Sequence, residues 1–146
     1  MIILASDHAG YELKEKIKVF LDKKGFNFFD AGPRKYNNDD DYPDYVTEAS
    51  KLVLEKSENR GIFICGTGIG MNISANKIKG IRASLVTSTH LAEMAVKHNN
   101  VNVITFGGRT TSFFKAKRLI LTFLKTSFAG VIRHQRRIDK IEKLEC

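Results

Sequence analysis

Short apolar runs and longer stretches of helical spacing alternate along the chain. The runs MIILAS, FNFFD, GIFICG, IRASLVTS and VNVITFGG are bounded by glycine or polar residues, which predicts five strands. Between them, YELKEKIKVFLDKKG places Leu13, Ile17, Phe20 and Leu21 on one helical face, lysines on the other and Gly25 as a C-terminal stop. DYVTEASKLVLEK carries Val46, Ala49, Leu52 and Val53 in the same way, and further helices are expected after Gly66, around Thr89 and around Thr111. The strands read as continuous apolar runs rather than clean alternations, the pattern of a parallel sheet covered by helices on both faces. The expected fold is therefore α/β: a doubly wound, Rossmann-like three-layer α/β/α sandwich with a five-stranded parallel sheet. A last amphipathic helix, VIRHQRRIDKIEKLE, has Val131, Ile138, Ile141 and Leu144 on its apolar side. The preceding elements leave it little core to join, so it is expected to pack on a partner subunit, with docking on its own domain as the alternative.

The chain has 146 residues, 42% of them hydrophobic, and no linker or repeat, which fits one domain over residues 1–146. The first apolar stretch lacks a basic leader and runs at once into SDHAG. Neither a signal peptide nor a membrane span is expected, and the predicted location is cytoplasmic. The two cysteines, Cys65 and Cys146, make neither a disulfide framework nor a metal-binding spacing. Charge changes the picture more: of the net +8, nearly all lies in residues 109–146, with 10 basic and 3 acidic side chains. That quarter is either a solvated helix face or an anion site, nucleic acid being one candidate anion. The polar loop YNNDDDYPDY lacks the glycine and the terminal glutamate of a calcium loop and reads as solvated.

Ligands of open parallel sheets bind beyond the carboxyl ends of the strands. On that rule the polar groups expected at one rim are Asp7 and His8, the stretch from Cys65 to Gly70, His98 and Asn99, and Arg109. The glycines of CGTGIGM do not match G-x-G-x-x-G, and no G-K-[ST] follows them, so neither a dinucleotide nor a nucleoside triphosphate is expected there. What remains is an anion hole of backbone N–H groups with a thiol beside it. Such a thiol can serve as nucleophile or base, and the plain alternative is an inert buried cysteine. His8 and His98 fall where function concentrates, whereas His90 reads as an ordinary surface histidine. Arg133 and Arg137 stand four apart on the last helix and can grip one phosphate or carboxylate, with Arg136 off that face.

Taken together, SDHAG, DYPDY, CGTGIGM, ANKIKGIRA, HNNVNVITFGGR and RHQRRI closely resemble the type B ribose-5-phosphate isomerases, within the wider group that includes galactose-6-phosphate isomerase subunits. The resemblance covers almost the whole chain. It implies a homodimer or dimer of dimers with the active site at the subunit interface, a small sugar phosphate as substrate, no metal or other cofactor, and no nucleic-acid or membrane partner. By the same resemblance Cys65 is the base that moves a proton between C1 and C2, and His98 the acid that opens the furanose ring. Asp7 and His8 contact substrate, while Gly66, Thr67, Gly68, Ile69 and Gly70, with Asn99, hold the enediolate. Arg109, Arg133 and Arg137 match the remaining contacts, mainly to phosphate, some donated by the neighbouring subunit. Asn72 and Ser74 stand where serine and alanine are more usual, which bears on substrate preference rather than reaction type. The rival readings are an isomerase of a six-carbon phosphate such as galactose 6-phosphate or allose 6-phosphate, a nucleic-acid binding module built on the basic quarter, and a redox-sensing thiol protein.

Overall fold

The computed structural model describes residues 1–145, so Cys146 lies outside the described residues. Five strands form one all-parallel sheet: β1 (Ile2–Ser6), β2 (Phe28–Asp30), β3 (Arg60–Cys65), β4 (Ala83–Leu85) and β5 (Val103–Gly107), in the spatial order β2-β1-β3-β5-β4. β1 and β5 are buried along their whole length and β3 along all but its first residue, as the unbroken apolar runs require of central strands. The helices are α1 (His8–Lys23), α2 (Tyr42–Leu54), α3 (Ile69–Ala75), α4 (Thr89–Asn99), α5 (Phe113–Lys125) and α6 (Ile132–Glu142).

Two apolar clusters lie on opposite faces of the sheet. On one face Leu13, Ile17 and Leu21 of α1 join Ala92, Ala95 and Val96 of α4 and Leu119, Ile120 and Phe123 of α5. On the other, Val46, Ala49 and Val53 of α2 join Met71 and Ala75 of α3 around Ile3, Phe63 and Val103. The three-layer sandwich expected from the sequence is thus present, but its second helical layer is thin, with α3 only 7 residues long. Ile69 and Ile73, one turn apart on α3, remain exposed.

The last helix docks on its own chain. α6 packs against α4, and its His134 and Ile138 are both buried. Val131, Ile132, Ile141 and Leu144 stay exposed, so only part of its apolar surface is covered within this chain.

One buried cation fixes the loop between β2 and α2. Lys14 of α1 is fully buried and donates from Nζ to the Asp30 carboxylate and, at 2.8 Å, to the Pro33 carbonyl. A buried ammonium needs such partners to offset its lost hydration. Burial alone would raise the Asp30 carboxyl, but hydrogen bonds from Lys14, Lys18 and the Gly32 N–H outweigh it and hold the group below its usual range. The chain that leaves β2 is therefore anchored before it turns toward the carboxyl ends of the strands.

Candidate functional site

The carboxyl ends of the three central strands are in register, Ser6 pairing with Ile64 and Cys65 with Gly107. From there α1 turns to one face of the sheet and α3 to the other. The crevice between β1 and β3 is thus defined by topology as the switch point at which doubly wound sheets bind ligands.

Cys65 ends β3 on the lip of that crevice with 4% of its surface exposed. Gly68 has φ +83°, in the left-handed region that glycine enters without strain, and the bend brings its N–H to 3.2 Å from the Cys65 sulfur. The thiol therefore sits in a glycine turn with a backbone donor already aimed at it. Gly70 is closely approached for a different reason: a Cβ there would lie 2.5 Å from Cζ of Tyr42, whose ring covers the turn and would have to move aside. Thr67 turns its hydroxyl back to the Ile69 N–H at 3.4 Å, and the Ile69 side chain points to solvent.

Arg109 is tied to the same turn. Its N–H donates to the Gly66 carbonyl at 3.0 Å, the Gly108 N–H donates to the Cys65 carbonyl at 2.7 Å, and its guanidinium lies across Gly66. Asp7 is buried and caps α1, accepting from the Gly10 N–H at 3.0 Å. His8 follows as the first residue of α1, half-buried beside the crevice. Asp7, His8, Cys65, the residues from Gly66 to Gly70 and Arg109 thus meet at one rim.

His98 and Asn99 do not join them, which corrects the single-rim expectation. Both close α4, and a helix that crosses back before a parallel strand ends beside that strand's amino terminus. The Asn99 carbonyl accepts from Arg82 Nε at 3.2 Å, just ahead of β4, and Asn102 beside Arg82 leads into β5. The 5 residues of β5 separate this rim from the cysteine rim; at about 3.3 Å per residue the gap is roughly 15 Å. The position of His98 before a strand was legible, but the end of the sheet that it faces was misjudged.

A second cluster forms at the amino rim. The His98 ring stacks on the His134 ring of α6, with centroids 4.4 Å apart and planes 15° apart. Burial, together with the neighbouring charges of His98, Arg133 and Arg137, pushes the His134 imidazole below the usual histidine value. The folded protein therefore favours neutral His134. Stability from this group is complete above the unfolded value of about 6.5 and is lost as pH falls through the lower folded value. The thermal midpoint is expected to drop between pH 7 and pH 5, and His134→Phe, which keeps a stacking ring without a titrating group, is expected to flatten that drop. Melts across this pH range check it; an unaltered slope in the variant would remove His134 from the account.

The loop of residues 36–45 also departs from expectation. Asn37, Asn38 and Asp39 are exposed as a solvated loop should be, but the Asp40 side chain is only 4% exposed. Its Oδ1 accepts from the His8 N–H at 3.0 Å and lies 2.7 Å from His8 Nδ1. Tyr42 packed over Gly70 draws the loop across the crevice and carries Asp40 inward. Burial, then the charge of Asp40, pushes the nearby Tyr45 phenol above its ordinary value. Sequence reasoning passed over Asp40 and His134 as site residues. Nothing in a row of three aspartates distinguishes the one that turns in, whereas His134 was detectable one residue past Arg133 on the same helical turn. Among the described residues no group of three or more His, Cys, Asp or Glu side chains is placed to hold a metal ion.

Residues 2–141 match the sequence profile of the family described as Ribose/Galactose Isomerase. A probable ribose-5-phosphate isomerase B of Mycoplasma genitalium is 43% identical over 145 residues, covering 99% of this chain and 95% of that protein. The crystal structure of a ribose 5-phosphate isomerase from Thermotoga maritima superposes with a TM-score of 0.93 at 43% identity, covering 97% of each chain. Ribose-5-phosphate isomerase B of Mycoplasma genitalium, solved with bound ribulose-5-phosphate, gives a TM-score of 0.92 at 42% identity, covering 98% of this chain and 94% of that one. Fold, crevice and sequence therefore lead to one conclusion: the chain belongs to the ribose/galactose isomerase family.

Proposed function

We propose that the protein is an aldose–ketose isomerase that interconverts ribose 5-phosphate and ribulose 5-phosphate, a step of the pentose phosphate pathway. The observation that carries this reading is the buried Cys65 thiol at the switch point, with a backbone N–H of the glycine turn on its sulfur. The relative solved with ribulose-5-phosphate supports the substrate class.

In the forward direction the Cys65 thiolate takes the proton from C2 of the open-chain aldose. The C–H electron pair becomes the C1–C2 double bond, and negative charge moves to the C1 oxygen, where oriented N–H groups of the glycine turn hold it. The thiol then returns the proton to C1, the O2 hydroxyl proton passes to O1, and the ketone forms at C2. Ring opening comes first: His98 protonates the ring oxygen, the C1–O bond to it breaks, and the anomeric hydroxyl releases its proton to solvent as the C1 carbonyl forms. Asp7 and His8 contact the sugar phosphate, and Arg109, Arg133 and Arg137 bind mainly its phosphate.

The two rims set a condition on this chemistry. His98 and Asn99 close α4 at the opposite rim from Cys65, and Arg133 and Arg137 flank the His134 ring stacked on His98, so a site within one chain would have to span the length of β5. We assign His98, Asn99, Arg133 and Arg137 to the crevice of a second copy, in a homodimer or dimer of dimers. The exposed apolar residues of α3 and α6 fit burial in such an interface. The reading is of a cytoplasmic enzyme; no helix among the described residues is long and apolar enough to cross a membrane.

A direct assay tests the activity. Purified protein is expected to equilibrate ribose 5-phosphate with ribulose 5-phosphate and to turn over galactose 6-phosphate and allose 6-phosphate far more slowly. Preference for a six-carbon phosphate would overturn the substrate assignment, and inactivity on all of them would overturn the isomerase reading.

A further inference from the structure

We propose that Asp40 is a positioning residue for His8, holding the imidazole with Nδ1 turned into the protein and Nε2 left for the substrate. The inference rests on the reading of His8 as a substrate contact. Its observations are independent of that reading. Asp40 Oδ1 engages two donors of the same residue, the backbone N–H at 3.0 Å and ring Nδ1 at 2.7 Å, so it constrains both the start of α1 and the ring's rotation. The carboxylate is buried, which makes the contact a fixed element rather than a surface pairing. Tyr36, from the same loop, meets the His8 ring edge-on with centroids 6.5 Å apart, closing another side. His8 makes no hydrogen bond through Nε2 among the described residues.

The chemical consequence concerns the tautomer. An imidazole free in water prefers its proton on the other nitrogen, and a carboxylate acceptor at Nδ1 reverses that choice. With Nδ1 holding a proton and the ring braced between Asp40 and Tyr36, Nε2 has one direction in which to meet a sugar hydroxyl or phosphate oxygen. The loop of residues 36–45 thus contributes to binding through a residue that itself touches no substrate.

The test combines spectroscopy with kinetics. Nitrogen-15 NMR of the wild-type dimer is expected to show the His8 proton on Nδ1; a ring protonated on Nε2 alone would overturn the proposal without any variant. Asp40→Ala is expected to raise the KM for ribose 5-phosphate about tenfold, comparable to the low end of the loss when a metal-bound histidine loses its orienting partner, with kcat changed by less than about threefold. The inhibition constant of inorganic phosphate should rise in parallel. Asp40→Asn keeps an acceptor oxygen for both donors and is expected to restore most of the binding, which a loss through misfolding would not explain. His8→Ala separates the two layers. If it raises KM while Asp40→Ala does not, the positioning role fails and the substrate contact stands. If His8→Ala leaves KM unchanged, the reading of His8 fails and the proposal with it.

Discussion

Cys65→Ala is expected to lower kcat for ribose 5-phosphate by about 10²- to 10⁴-fold, the contribution of a positioned acid–base group. The protein should remain folded. Cys65 packs with Ile3, Ala5 and Phe63 in the thinner of the two cores, and loss of one sulfur from that wall costs about 1 kcal/mol. Cys65→Ser supplies the contrast. Its hydroxyl fills nearly the same space and can still accept from the Gly68 N–H, but an alcohol is far too weak an acid to act as the poised base. Serine should therefore rescue stability and leave turnover close to that of alanine. The inert-cysteine alternative makes the opposite forecast, with activity largely kept and stability reduced in both variants. Initial rates with saturating substrate, measured beside thermal melts, decide between them.

Mixing two inactive proteins is expected to regenerate activity. Cys65→Ala destroys one rim and Arg137→Ala the other, and in the chain those rims are held apart by the length of β5. If each active site combines the cysteine rim of one subunit with the histidine–arginine rim of the next, a mixed dimer contains one site with neither change and one with both. Random exchange makes half of the dimers mixed, so roughly a quarter of wild-type activity should return. A site confined to one chain returns none, because neither parent carries an intact set. Subunit exchange has to be demonstrated with two distinguishable tags; exchange without recovered activity would sink the shared site. His98→Asn in place of Arg137→Ala should behave alike, since His98 lies on the same rim.

Asp40, His98 and α6 show where linear reasoning stops. A glycine turn after an apolar strand carries its own geometry, because backbone conformation at Gly68 and the next few residues is a local property. Placing His98 needs the direction of α4 relative to the sheet, and chain position alone puts it near a strand without telling which end. Asp40 needs the packing of Tyr42 on Gly70, a contact between residues 28 apart whose existence no local pattern records. α6 was readable as an amphipathic helix, yet only the folded chain divides its apolar face into Ile138, which is buried, and the residues that stay open.

By itself, the sequence determined the order and type of the elements, the parallel sheet, the cysteine at a glycine turn and the family to which the motifs belong. These depend on hydrophobic period and backbone freedom, which act over a few residues at a time. Only the tertiary structure decided that the predicted site residues divide between two rims, that Asp40 turns inward to hold His8, and that His98 stacks on His134. Those arrangements arise from strand order and helix docking, where residues distant along the chain meet. The energy that selects them comes from burying whole faces rather than from any segment's own preference.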